Sequence, residues 1–141
     1  MGANETQVGG GHYKKSYQHW DLMVDLEVPY LLGCASKYPT RWREKNGLED
    51  LRKSMHYIQK AKEEGVRVPQ PNRFLDNLRK LVGMKTRKEI IDEKIGLFCH
   101  QLASSEAIIV SAICYNDFEN ALVNLSLLIR DMELSGQYIR G

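Results

Sequence analysis

The chain has 141 residues, of which 43% are hydrophobic and 27% charged, a length and balance typical of one folded domain with a modest core. Its formal net charge of +2 argues against a dedicated duplex-DNA binder, which must neutralise many phosphates. Any anion-binding site in this protein must therefore be local.

The three cysteines, Cys34, Cys99 and Cys114, have no paired or metal-like spacing, and their odd number argues against a disulfide framework. No apolar run approaches the roughly 18 residues that a membrane span requires. The N-terminus also lacks the basic-then-apolar pattern of a signal peptide. We therefore expect a cytosolic protein with free thiols and no membrane partner.

Residues 1–8 are polar and without period, which predicts a mobile leader. The glycine run 9–11 follows, and it permits positive φ angles that turn successive backbone N–H groups toward one anion. It ends at Gly11 and is followed by His12 and Tyr13, an imidazole and a phenol. Taken alone, the glycine run is equally well interpreted as a flexible hinge.

Apolar residues then recur with helical spacing, and no segment shows the alternation of a strand. A first helix is predicted from Ser16, its N-cap, to residue 27, and a second from Pro29 to Tyr38. Pro39 predicts a kink or a new helical turn, because proline lacks an N–H and disfavours helical geometry in Tyr38. A third helix is predicted over 48–64 with Gly65 as its C-terminal cap.

The segment 65–72 contains two prolines and is predicted to be an extended linker between two subregions, 9–64 and 73–135. Asn72 caps a short helix that stops at Gly83. A capping box at 86–89 opens a helix that continues without proline to Tyr115, and a second box at 116–119 opens the last helix. Residues 136–141 are a short tail.

These last two helices predict an antiparallel hairpin whose first helix exceeds about 40 Å. A hairpin of that length is too long to bury its apolar faces against itself and a small domain. We therefore expect an all-α fold in which residues 86–132 of two or more chains form a bundle, most simply a four-helix bundle of a homodimer.

The nine residues from Lys37 to Lys45 contain five charges, four of them basic, and two aromatic rings. On a helix Lys37, Arg41 and Lys45 recur every four residues and line one face, where arginine offers a fork for phosphate. Tyr38 and Trp42 lie one residue round, where a ring can stack on a base. The alternative is a solvated basic face with both rings turned into the core.

Lys53 and Tyr57 have the same four-residue spacing on the third helix and can close the groove from a second side. The alternative is a surface lysine packed over a tyrosine. Glu49 and Asp50 can pair with the nearby arginines or contact a ribose hydroxyl.

Other chemistries leave no clear pattern. The P-loop motif is absent, and the four histidines are too scattered for a zinc site. Glu89, Asp92 and Glu93 with Glu106 are faintly similar to the paired acidic helices of all-α nucleotide pyrophosphohydrolases. Capping and solubility account for these carboxylates as well, and we expect no metal site.

Several ordered motifs between residues 9 and 62 resemble a short module that is widespread in tailed phages. This module is best known as the C-terminal part of a phage nucleotide kinase that lacks a P-loop. The resemblance implies a phage protein in the host cytoplasm, an all-α fold, oligomerisation and a nucleotide ligand. It is carried by Gly10-Gly11-His12-Tyr13-Lys14, Leu32-Gly33, Lys37-Tyr38 with Arg41, Lys45-Asn46-Gly47, and Glu49-Asp50-Leu51 with Lys53 and Tyr57.

Three positions depart from the family pattern. Gly11 stands where the family usually has an acidic residue, Cys34 where it usually has asparagine, and Pro39 where it has a helix-compatible residue. The first two departures remove groups that act in proton transfer or metal binding, and they leave the groups that bind.

Two functions follow. The favoured one is a phage anti-defence protein that sequesters a small nucleotide signal in basic and aromatic pockets of a homo-oligomer, without a cofactor or catalytic residues. The alternative is a P-loop-independent nucleoside monophosphate kinase, with His12 or Asp50 as acid–base groups and magnesium on the phosphates. The predicted ligand-binding residues are Gly11, His12, Tyr13, Lys37, Tyr38, Arg41, Trp42, Lys45, Lys53 and Tyr57.

Overall fold

The computed structural model describes residues 17–136, and within that range the chain forms seven α-helices and no β-strand. The prediction of an all-α fold is therefore confirmed. The predicted leader, Gly11, His12, Tyr13 and the predicted cap Ser16 lie outside the described residues. The helices are α1 (His19–Leu26), α2 (Tyr30–Arg41), α3 (Leu48–Glu64), α4 (Arg73–Leu81), α5 (Arg87–Cys99), α6 (Ser104–Cys114) and α7 (Phe118–Ser135).

Several helix ends have the local chemistry that the sequence predicts. Gly65 ends α3 in the left-handed conformation, with φ at 69°. The Asn72 side chain accepts a hydrogen bond from the backbone N–H of Leu75 at the start of α4. Thr86 and Glu89 form the predicted capping box at the start of α5.

The predicted end of the second helix at Tyr38 is wrong, because α2 continues through Pro39 to Arg41. The predicted kink at Pro39 stays a prediction. Pro39 has no N–H, so the carbonyl of Ala35 loses its usual partner within the helix. The hydroxyl of Ser54, fully buried on α3, donates to this carbonyl at 2.6 Å. A side chain of the neighbouring helix thus replaces the missing backbone donor.

The continuous helix predicted up to Tyr115 is also wrong, since α5 ends at Cys99 and α6 begins at Ser104. The break directs the two helices to different neighbours: α5 packs against α1 and α6, whereas α6 also packs against α2 and α7. A single straight rod cannot follow both directions. An unbroken apolar pattern does not reveal this change of direction, because both helices bury apolar residues.

The second predicted capping box does not form. Asp117 alone caps α7, by accepting from the backbone N–H of Asn120. Asn116 instead adopts the left-handed conformation, with φ at 62°, and its amide bonds both backbone groups of Val68. The Val68 N–H donates to Asn116 Oδ1 at 2.8 Å, and Asn116 Nδ2 donates to the Val68 carbonyl at 2.9 Å. The extended segment 65–72 is thereby fixed to the corner between α6 and α7.

Besides its buried apolar residues, α1 has two polar contacts with other parts of the molecule that fix its ends. The Arg87 guanidinium donates to the carbonyls of Asp25 and Leu26, at 2.9 and 2.7 Å, and so satisfies the C-terminal end of α1. His19 Nε2 lies 2.8 Å from the hydroxyl of Ser36 on α2. Burial first, and then the charge of Lys37, lower the pKa of His19 to about 4.

The buried hydrophobic side chains form one cluster that includes residues of α1, α2, α3, α5, α6 and α7 together with Val68. Residues on both sides of the segment 65–72 therefore share a core. Among the described helices α4 alone contributes no residue to this cluster. The predicted division into domains and the predicted bundle through residues 86–132 stay predictions. No helix of the described range is long and apolar enough to cross a bilayer.

Candidate functional site

The candidate site is one surface of the packed pair α2 and α3, where residues at four-residue spacing bring polar and aromatic side chains together. Tyr30, Cys34 and Tyr38 recur along α2, and Lys53 and Tyr57 along α3. Arg41 lies at the end of α2. We call this surface the α2–α3 face and define it by these six residues.

At the centre of the α2–α3 face two tyrosine rings stack. The ring centroids of Tyr38 and Tyr57 are 5.8 Å apart, with an interplanar angle of 30°. The guanidinium carbon of Arg41 lies 4.8 Å from the Tyr38 centroid, and Lys53 Nζ lies 5.7 Å from it. Both distances are within the cation–π range of about 6 Å. The Tyr38 ring therefore contacts a second ring and two cations.

Arg41 is oriented by a buried carboxylate. Its Nε lies 3.6 Å from Asp50 Oδ2, and the Arg41 side chain is 26% exposed whereas that of Asp50 is fully buried. Asp50 also accepts from the backbone N–H and the side-chain amide of Asn46, at 3.2 and 3.4 Å. Of the two roles predicted for Asp50, the structure therefore has the pairing with an arginine. These contacts keep the Asp50 oxygens inside the protein, whereas the kinase alternative needs them exposed to a substrate.

Lys53 is held more loosely. Its Nζ lies 3.8 Å from Glu49 Oε2, and both side chains are substantially exposed. Exposed pairs of this kind contribute only about 0–1 kcal/mol. An anionic ligand can therefore replace Glu49 as the partner of Lys53 at little cost.

Tyr30 and Tyr57 keep their protons at neutral pH. The pKa of Tyr30 is raised, first by its hydrogen bond with Cys34 and then by charge interactions with Cys34 and Tyr57. The pKa of Tyr57 is raised chiefly by charge interaction with Tyr38 and next by Cys34. These two phenols are thus neutral groups, and Arg41 and Lys53 supply the positive charge of the face.

The other predicted residues of the described range, Lys37, Trp42 and Lys45, lie outside the α2–α3 face. Trp42 is turned into the core and is 3% exposed, with the Arg43 guanidinium carbon 4.4 Å from its ring centroid. Lys37 is exposed on α2, near enough to His19 to influence its pKa. Lys45 is exposed in the turn after α2, because that helix ends at Arg41. The predicted helical row of three cations therefore reduces to Lys37 and Arg41.

Sequence reasoning did not place Tyr30 or Cys34 in the site. The sequence pattern identifies Cys34 only as a free thiol and as a departure from the phage module, and it does not single out Tyr30. The signal was present, because both residues continue the four-residue spacing that leads to Tyr38.

In the described range 17–136 no group of three or more histidine, cysteine, aspartate or glutamate side chains is arranged to hold a metal ion. The four carboxylates considered above bond to separate partners. Glu89 bonds to Thr86, Asp92 to Lys88 and Tyr115, Glu93 to Lys85, and Glu106 to Arg43.

Within the described range, several residues that carry the resemblance to the phage module fall into two groups, whereas the motif 10–14 lies outside that range. Leu32 and Leu51 are buried in the core, and Gly47 has a φ of 62° where α3 begins. Tyr38, Arg41, Lys53 and Tyr57 instead belong to the α2–α3 face.

No protein-family model, no curated protein and no solved structure matches this chain.

Proposed function

We propose that the protein is a phage nucleotide-binding protein that sequesters a small nucleotide signal in a homo-oligomer, so that a defence enzyme of the host is not activated. The observation that carries the proposal is the stacked pair Tyr38 and Tyr57, with Arg41 and Lys53 on the same ring. A flat base stacks on the tyrosine surface, and its phosphates bind the two cations.

The energies of these contacts suit retention of a nucleotide. Stacking of a base on an aromatic side chain contributes about 1–3 kcal/mol. Arg41 offers two parallel N–H donors to a phosphate, and Asp50 already fixes its position. Because the groups are arranged before the ligand arrives, less conformational entropy is lost on binding.

The state of Asp50 supports binding rather than phosphoryl transfer. An acid–base group must reach the proton that it transfers, within about 2.6–3.2 Å or through one water. Asp50 is fully buried, lies 3.6 Å from Arg41 Nε in an ion pair and accepts hydrogen bonds from Asn46. The aromatic rings and the cations of the α2–α3 face hold a ligand without requiring a chemical step.

The decisive experiment is to incubate the purified protein with linear, cyclic and ADP-ribose-type nucleotides and magnesium, remove unbound ligand, denature the protein and identify what is released by mass spectrometry. We expect stoichiometric release of one unchanged nucleotide class. Release of a phosphorylated product would establish the kinase alternative instead, and retention of no nucleotide would contradict both functions.

Three variants locate the site. Tyr57→Ala should weaken binding by roughly tenfold to a hundredfold through lost stacking, and Lys53→Ala by about tenfold through a lost phosphate contact. Arg41→Lys keeps a charge for Asp50 but removes the fork, so retention should fall while the fold is preserved. Titration calorimetry measures each affinity.

Lys60→Ala is the matched control. Lys60 is on the same helix as Lys53, is similarly exposed and also pairs with a glutamate one turn away, since its Nζ lies 2.9 Å from Glu64 Oε1. It is not part of the α2–α3 face, so its replacement should leave the affinity unchanged. Equal losses for Lys53→Ala and Lys60→Ala would show that general surface charge, rather than this face, binds the nucleotide.

A further inference from the structure

An ordinary surface helix turns its apolar side chains toward the core, whereas α4 turns them toward solvent. Its one buried residue is Asp76, and its apolar side chains face solvent. Leu81 is 82% exposed and Phe74 70% exposed. Together with the residues that follow the helix, six large apolar side chains are exposed: Phe74, Leu75, Leu78, Leu81, Val82 and Met84.

The spacing of these residues places them on one face. At 3.6 residues per turn, positions 74, 75, 78, 81 and 82 cluster on one side of the helix. Arg73, Asp76 and Lys80 fall on the opposite side, and Asn77 and Arg79 lie at the two edges. Arg79 is already paired with Asp76, its Nη1 lying 2.7 Å from Asp76 Oδ1. The apolar face of α4 therefore has no unpaired charge at its rim.

Polar contacts, rather than apolar packing, attach α4 to the body. Asp76 accepts from the backbone N–H groups of Arg87 and Lys88, at 2.7 and 3.2 Å, at the start of α5. Desolvation raises the pKa of Asp76, but the backbone hydrogen bonds from Arg87 and Lys88, together with the hydrogen bond and the charge of Arg79, outweigh it, so the pKa is lowered. Asp76 is thus an anchor that turns the apolar face of α4 outward.

A helix as short as α4 needs apolar packing in addition to the hydrogen bonds of Asp76 to be stable. Isolated helices shorter than about 12–15 residues are marginal in water, and α4 has 9 residues. Apolar patches of several hundred Å² on soluble proteins usually mark interaction sites. The occupant that fits α4 must be apolar and must not depend on charges at the rim.

We propose that this occupant is a second copy of the chain, with α4 of one protomer packed against α4 of its partner about a twofold axis. The arrangement is self-complementary, as a twofold contact requires. It also keeps Arg73 and Lys80 of both copies away from the contact, so like charges do not oppose each other. An anionic membrane or an acidic peptide would favour cations beside the apolar face, where α4 has only Asn77 and the paired Arg79.

The area is sufficient for a dimer. Complete burial of six exposed side chains, five on the apolar face of α4 and Met84 beyond it, at roughly 100 Å² each gives about 600 Å² per protomer and about 1,200 Å² in total, the lower end of the range for specific interfaces. The interface is independent of nucleotide binding, and it lies on α4 rather than in the region 86–132 that the sequence suggested for self-association.

Sedimentation velocity of the full chain, without nucleotide, tests the proposal. The wild type should sediment as a dimer of the 16.2 kDa chain, and Leu81→Asp should sediment as a monomer or dissociate at roughly a hundredfold higher concentration. Leu134→Asp on α7 is the matched control, because Leu134 is 74% exposed and is not on α4. This variant should remain a dimer.

Three results would overturn the proposal: a monomeric wild type, a Leu81→Asp variant that remains a dimer, or a Leu134→Asp variant that dissociates as readily as Leu81→Asp. A monomeric wild type that co-sediments with vesicles of phosphatidylserine and phosphatidylcholine would assign the face to a lipid surface instead. Far-UV circular dichroism verifies that each variant is folded. If Leu81→Asp loses its helical signal, Leu81→Ser takes its place with the same expected outcome.

Discussion

α3 and α4 have the same kind of sequence pattern, but the apolar face of α3 is buried and that of α4 is exposed. Each begins after a turn or cap residue, has apolar residues at helical spacing and is followed by a glycine, Gly65 or Gly83. In α3 Leu51 and Ile58 are fully buried alongside Asp50, whereas in α4 Leu78 and Leu81 are exposed and Asp76 is the one buried residue. Helical periodicity therefore indicates that an apolar face exists, but it does not identify what covers that face.

The largest difference in stability should appear when one leucine of each helix is replaced by alanine. Leu51→Ala removes a fully buried side chain and should lower the free energy of unfolding by about 2–5 kcal/mol. Leu81→Ala, extrapolated to low protein concentration, should change it by less than about 0.5 kcal/mol. Urea denaturation followed by circular dichroism measures both values. Similar losses for the two variants would mean that α4 packs within its own chain.

Burial in the region that contains α1 to α3 should also produce a pH dependence. The pKa of His19 is lowered from 6.5 to about 4 in the folded chain, so protons bind the unfolded state more readily. The stability is complete above pH 6.5 and is lost as the pH falls through 4. The total loss amounts to about 3 kcal/mol, of which about 2 kcal/mol is reached at pH 5.

His19→Gln isolates this contribution, because glutamine keeps an amide near Ser36 but does not titrate. Between pH 7.5 and pH 5 the wild type should lose on the order of 2 kcal/mol more of its unfolding free energy than the variant, by urea denaturation at each pH. Parallel pH profiles for the two proteins would show that His19 is not the group responsible.

A smaller effect concerns the contact between α2 and α3. Ser54→Ala leaves the Ala35 carbonyl without its donor and should destabilise the chain by about 1–3 kcal/mol. In a Pro39→Ala background the new backbone N–H can serve this carbonyl, so the same substitution should cost about 1 kcal/mol less. A thermodynamic cycle of the four proteins gives the coupling. A coupling of zero would refute the compensation between Pro39 and Ser54.

Much of the fold follows from local chemistry. The all-α class, the end of α3 at Gly65, the cap at Asn72 and the box at Thr86 depend on neighbouring residues, and all are found in the structure. The errors arise where a distant residue decides the outcome. Ser54 maintains α2 across Pro39, and Val68 engages Asn116 so that it is not part of a capping box.

The candidate site divides in the same way. Four-residue spacing relates Lys53 to Tyr57 on α3, and it places Tyr38 one residue round from the row that contains Arg41 on α2. The stacking of Tyr38 on Tyr57 depends on the packing of α2 against α3. Spacing was not sufficient for Trp42 either, since a ring on the next position is exposed or buried according to how neighbouring helices pack.

The two bonds between Val68 and Asn116 also constrain the order of folding. They join residues 48 positions apart, and the chain between them contains α4, α5 and α6. Closing so long a loop costs conformational entropy before the bonds form. The two hydrogen bonds between Val68 and Asn116 should therefore form late in folding, after the helices on either side of them have packed. The amide proton of Val68 should then exchange with solvent only through global unfolding, as slowly as those of the core helices.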